Sequence, residues 1–223
     1  MAALIGTLRR AAGPLVAVCA LALAGCANPF EPATPEPPDE NGVVQDYSTP
    51  AKLLATLIAA IENKGPSGRL AWADAMADST GPGTRAFYAF HDPLVLSAWR
   101  LSSPVAPPEP WDLELEKRFY DRFIALYDGE YVMAMDSSST APNDVIDESA
   151  GTALLHRKYY VATTISGSDL VIAIGEADLY MVKYDGRWFV IRWEDRLDPL
   201  IGVDPVEPDN VTLGWRRLES VSS

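Results

Sequence analysis

The chain has 223 residues, 48% of them hydrophobic, and 18 basic against 31 acidic side chains give a formal net charge of −13. That composition suits one substantial globular domain with appendages and excludes disorder of the whole. A surface this acidic is repelled by nucleic-acid phosphates and by anionic lipid headgroups, so neither is an expected partner through charge.

In chain order, residues 1–25 read as a processing segment: Arg9 and Arg10 precede an apolar run from Ala11 to Ala24 that is too short for a comfortable membrane-spanning helix. The run ends in Leu23, Ala24, Gly25 and Cys26, which resembles the lipobox of bacterial lipoproteins. The resemblance implies a lipid-modified Cys26 thiol, cleavage just before it, and a mature chain held to the membrane by acyl chains such as palmitate. An ordinary secretory signal is the alternative. Ala27 in place of aspartate implies, by the same resemblance, the outer membrane of a diderm bacterium, with the domain facing the periplasm or the surface.

Cys19, the other cysteine, falls inside the segment to be removed, so the mature domain is expected to hold no internal disulfide. Cleavage removes two arginines and no acid, which takes the net charge to −15. Residues 26–46 form a linker, within which Asn28 to Glu40 has five prolines and four acids and reads as an extended, self-repelling spacer.

The domain is expected over residues 47–196. Thr49 suits a helix N-cap, Pro50 the first helical position and Gly65 the stop, with Leu53, Leu57, Ala60 and Ile61 on one face. A short helix is expected over 69–77 and a short strand within 85–92. Residues 93–110, punctuated by proline, are expected to be irregular. A helix over 111–127 follows from the spacing of Leu113, Tyr120, Phe123, Ile124 and Tyr127. Strands are expected over 130–136, 153–166, 169–184 and 187–195, with hairpin turns at 166–168 and at Asp185-Gly186. The acidic, proline-rich extension 197–223 ends in a segment able to tuck Trp215 back onto the domain.

Helices first and long antiparallel strands after them indicate an α+β domain, with N-terminal helices packed on a strongly curved antiparallel sheet. The order of elements, closing on DGRWFVIRWED at 185–195, resembles the nuclear transport factor 2-like (polyketide-cyclase-like) proteins with their cystatin-like cone. The resemblance implies a cavity between sheet and helices. Relatives include isomerases, dehydratases and cyclases, and also binding and dimerisation modules.

A regular hairpin about Asp185-Gly186 pairs Tyr180 with Ile191, Asp178 with Trp193 and Glu176 with Asp195. One face then gathers Glu176, Asp178 and Asp195 beside Trp193 and Tyr180. Such a group could act as a general base with a tyrosine donor, or could be a wet rim neutralised by Arg157, Lys158 or Arg196. Tyr88, Tyr120, Tyr160 and Trp193 are the candidates for lining a ligand pocket. His91 and His156 lack metal-ligand spacing, so neither a metal nor a cofactor is expected. No nucleophile or phosphate-loop motif occurs. The expectation is a lipid-anchored envelope protein acting as a non-enzymatic binding or assembly module. Its partner would be a small apolar ligand, an envelope protein or a second copy of the chain. The alternative is a small isomerase-, dehydratase- or cyclase-type enzyme.

Overall fold

In the computed structural model, which describes residues 42–79, 85–199 and 211–222, the chain begins its first helix where Thr49 and Pro50 imply. The Thr49 hydroxyl accepts a hydrogen bond from the Lys52 N–H at 3.2 Å, and Pro50 occupies the first turn of α1, Pro50–Glu62. Leu53, Leu57, Ala60 and Ile61 form its buried stripe. The helix stops two residues before Gly65, at Asn63, whose N–H reaches the Ala59 carbonyl; Gly65 is instead the N-cap of α2, Pro66–Ala75. A proline at the first position starts both helices. The leader, Cys26 and the proline-rich spacer lie outside the described residues.

After β1, Tyr88–Phe90, the region expected to be irregular contains a helix, α3, Pro93–Ser102. Asp92 caps it, its carboxylate accepting from Leu94 N at 2.7 Å, so Pro93 begins the helix and does not break it. Trp111 does not open the next helix. It pairs with Ala89 in the short strand β2, Trp111–Asp112, and Asp112 caps α4, Leu113–Phe123.

The strands β3, Tyr131–Ser137, β4, Val145–Asp147, β5, Thr152–Ile165, β6, Ser168–Tyr184, and β7, Arg187–Arg196, complete a seven-stranded sheet. Its order is β2-β1-β7-β6-β5-β3, with β4 also paired to β5. Two-residue turns join the long strands. Ser166 and Gly167 have φ of 53° and 80°, Asp185 and Gly186 of 48° and 76°, the left-handed pairs that match the twist of a tight hairpin.

The sheet is mixed, not wholly antiparallel, because β1 runs parallel to β7. Two bulges bend it: Ile172 is the extra residue between β6 and β5, and Ile191 the extra residue between β7 and β6. The concave side holds the core, where Trp72 of α2 lies 5.7 Å from Tyr120 of α4 and 6.0 Å from Trp193 of β7.

The C-terminal residues rejoin this core. Helix α5, Leu213–Ser222, begins where the Thr212 hydroxyl accepts from Trp215 N, and Val211 docks on β6 by accepting from Ile174 N. Trp215 packs edge-on against Trp99 of α3 at 5.4 Å, and with Val95, Val211 and Leu218 they form a second, smaller cluster.

Candidate functional site

The bulge at Ile191 decides which side chains share a face. A strand with one extra residue shifts its alternation by one beyond that point. The hairpin keeps the expected register at Tyr184↔Arg187 and Val182↔Phe189, then Met181↔Val190 is followed by Tyr180↔Arg192. Beyond the bulge Asp178 faces Glu194, Glu176 faces Arg196 and Ala177 faces Asp195. The expected group of Glu176, Asp178, Tyr180 and Asp195 is therefore split. Trp193 and Asp195 point into the core, while Glu176, Asp178 and Tyr180 occupy the opposite side of the sheet.

On that outer side the carboxylates are neutralised. Asp178 Oδ1 takes both the His156 Nδ1 and the Arg196 Nη2 contacts at 2.6 Å, and Glu176 accepts from the hydroxyls of Ser138 and Thr140. Lys158 pairs with Asp198, while Arg157, which shares the Leu155 and Tyr159 side of β5, forks onto Asp144 with two bonds of 2.7 Å. Tyr180 lies under the Arg192 guanidinium, whose carbon is 4.7 Å from the ring centre, and its hydroxyl reaches Glu194. Each negative charge here has a cation or hydroxyl beside it, but Glu176, Asp178 and His156 are buried, so the group is a closed cluster of paired charges and not a water-screened rim.

The inner side is a different environment. Asp195, 1% exposed, accepts from the Tyr159 hydroxyl at 2.6 Å through one oxygen and from Gly214 N at 2.8 Å through the other. Tyr159 in turn accepts from Leu213 N at 2.8 Å, so the first turn of α5 closes over both groups. Gly214 is required at this point, since a Cβ there would stand 2.5 Å from Asp195 Oδ2. Burial raises the Asp195 pKa against the pull of the Arg217 charge, and it raises the Tyr159 pKa well above that of a free tyrosine, with Asp195 adding to the shift.

One turn further along α5, Arg217 enters the core without accessible surface and forks onto Glu116 of α4 at 2.8 and 2.9 Å. Its guanidinium lies 4.8 Å over Trp193 and 5.2 Å over Phe119. Trp111 Nε1 donates to the same Glu116 at 2.8 Å. His91 stands edge-on to Trp111 at 5.3 Å, and both its ring nitrogens are buried without a hydrogen-bond partner. Burial first, and then the Arg217 charge, pushes the imidazole pKa down to about 3, so it is uncharged at neutral pH.

The four pocket candidates do not line one space. Tyr120 and Trp193 are in the core, Tyr120 donating to the Ala60 carbonyl at 2.6 Å. Tyr160 is half-buried on the outer sheet face with His156 and Lys158. Tyr88 borders a cavity, about 480 Å³ in volume, between the β1–β2 pair and α3. A larger open groove of about 790 Å³ runs between residues 42–46, α1 and the loop at 128–130.

The sequence does not single out Glu116, Tyr159 and Arg217, nor does it mark His91 as a buried neighbour of theirs. Glu116 carries a signal, because it falls in phase with Phe119, Tyr120 and Phe123 on the buried helix face. Among the described residues no cluster of three metal-ligating side chains occurs, and no helix is long and apolar enough to cross a membrane.

No protein-family model matches the chain, and no curated protein matches it. Solved structures are similar in shape. A Mycobacterium tuberculosis protein of unknown function is 14% identical, covers 77% of this chain and 85% of its own, and gives a TM-score of 0.49. An NTF2-like protein with a cystatin-like fold from Novosphingobium aromaticivorans is 11% identical over 69% of this chain and 80% of its own, at 0.47. An NTF2-like protein of unknown function from Pseudomonas putida is 10% identical over 66% and 82%, at 0.44. These likenesses concern shape, and nothing about activity follows from them.

Proposed function

We propose that this protein is a lipid-anchored component of the cell envelope whose domain binds a ligand or partner without performing chemistry on it. The observation that carries the reading is the closure of Asp195. It is the one carboxylate of the expected group on the concave side, and Tyr159 and the first turn of α5 use both of its oxygens. An enzyme of the isomerase or dehydratase kind needs a base that a substrate can touch. Asp195 is shut away, and Glu176 and Asp178 are held on the other side of the sheet as partners of hydroxyls, His156 and Arg196.

Support for the anchor is the run from Arg9 to Cys26, and the outer membrane is the destination that Ala27 favours. Two or three acyl chains hold a protein durably, since each buried methylene contributes about 0.8 kcal/mol. The reading is tested by native mass spectrometry of the protein extracted from membranes. The expected result is a chain that begins at Cys26, carries acyl chains there and retains a non-covalent guest. An unmodified N-terminus removes the anchor, and conversion of the guest into a product removes the non-enzymatic half.

A further inference from the structure

The cavity between the β1–β2 pair and α3 has a wall chemistry that selects among ligands. Tyr88, Phe90, Leu96, Pro108, Pro110 and Trp111 surround it, and His91 also lies in its wall. Its volume, about 480 Å³, falls within the range of small-molecule sites, roughly 300–1,000 Å³. Tyr88 and Phe90 are 39% and 49% exposed, so two aromatic rings at this place still face water. Covering them is the gain that a flat apolar guest would realise.

Charge narrows the class from both sides. The Arg192 guanidinium lies 4.9 Å from the Phe90 ring centre but is already paired with Glu194, and Arg100 stands 3.6 Å from Glu109, the single carboxylate in the wall. Each cation beside the cavity is thus matched by a carboxylate, and a cationic guest gains no counter-charge from the wall. An anionic guest meets a chain with a net charge of −13 and an imidazole that burial keeps uncharged. What remains is a neutral molecule.

We infer that this cavity binds a small, uncharged molecule built on one or two flat apolar rings. The inference rests on the non-enzymatic binding reading and gives that reading a site and a ligand class. Asp195 itself is not in the cavity wall, and both of that carboxyl's oxygens are used by Tyr159 and Gly214.

The test uses two probes that share a skeleton and differ in charge, N-phenyl-1-naphthylamine and its sulfonated form, 1-anilinonaphthalene-8-sulfonate. Each is titrated by fluorescence into the full chain carrying Cys26→Ala, so that no acyl chain competes. The neutral probe is expected to bind saturably at one site, at least about tenfold more tightly than the sulfonate. Phe90→Ala, which removes an exposed ring, and Leu96→Trp, which fills the space from the half-buried side of α3, are each expected to weaken it by about tenfold or more. Leu126→Trp, at an exposed position in a different cavity near α5, is expected to leave it unchanged. Overlaid melting curves establish that the variants are folded.

Absence of saturable binding, or equal affinity for the two probes, overturns the inference. Affinity within twofold of the parent in both Phe90→Ala and Leu96→Trp also overturns it: the guest then sits elsewhere, and the binding reading survives while this site does not. Chemical conversion of a native guest, in contrast, sinks the binding reading whatever the probes do.

Discussion

Arg217 has no accessible surface, and its guanidinium places two N–H groups on Glu116 while its flat face meets Trp193. Removing one member of such a pair strands the other charge in a dry core. Arg217→Met is therefore expected to lower stability by about 3–5 kcal/mol, seen as a shift of the urea midpoint. The double change Glu116→Leu with Arg217→Met is expected to recover most of the loss, since neither member of the pair is then buried without the other. A double variant as unstable as the single one would show that the loss comes from packing over Trp193 and Phe119 and not from the stranded carboxylate.

His91 makes a pH prediction at the same scale. Its folded pKa of about 3 lies below the 6.5 of an unfolded histidine. As pH falls below 6.5 the unfolded chain takes up a proton that the folded chain refuses, so stability contributed by the neutral ring is lost progressively toward pH 3. A tenfold difference in proton affinity between the two states is worth roughly 1.4 kcal/mol. Unfolding of wild type and His91→Phe at pH 7 and pH 4 is expected to give a variant whose acid-side loss is smaller by about 3 kcal/mol. Equal losses in the two proteins would mean that His91 is charged or hydrated in the fold. In the sequence neither His91 nor Arg217 carries a mark of burial, because a lone histidine or arginine looks the same in a core and on a surface. Glu116 is more legible, as an acid in step with an aromatic stripe.

At the scale of elements, the sequence supports α1, the three long strands and both tight turns, because each rests on local chemistry: a threonine cap before a proline, alternation of apolar residues, and Asp-Gly at the apex. It misleads at α3, where prolines that punctuate 93–110 look like breakers although Asp92 and Pro93 form a start signal. It is silent on the Ile191 bulge, since one extra β-branched residue in a strand looks like any other strand residue. That silence costs the candidate site its coherence, because every side chain after Ile191 changes face. Deleting Ile191 tests the account directly. The deletion removes the extra residue and leaves Met181↔Val190 followed directly by Tyr180↔Arg192, so Trp193 and Asp195 keep their inward faces, and the variant is expected to retain cooperative unfolding and the near-ultraviolet circular dichroism of the buried tryptophans. Loss of the tryptophan signal would mean that the inward face of Trp193 depends on the bulge itself and not on the alternation of β7 beyond it.

For the whole molecule, the proposed anchor sets two influences against each other at a membrane. With residues 1–25 removed, the chain carries 16 basic and 31 acidic side chains, so anionic headgroups repel the domain. The proline- and acid-rich stretch from Asn28 to Glu40, as the spacer proposed here, would keep that charge away from the surface. In the proposed reading attachment comes from acyl chains on Cys26, and from two or more of them, since a single chain gives only marginal binding. The wild-type protein is accordingly expected to enter the detergent-rich phase in a Triton X-114 partition, and Cys26→Ala the aqueous phase once the leader is cut. Raising the salt concentration should leave the wild-type distribution unchanged, because buried hydrocarbon is not screened by ions whereas a charged contact is. If Cys26→Ala with its leader removed remains in the detergent-rich phase, the domain itself must present enough apolar surface to hold lipid, and the exposed rings of Tyr88 and Phe90 would be the first place to look for it.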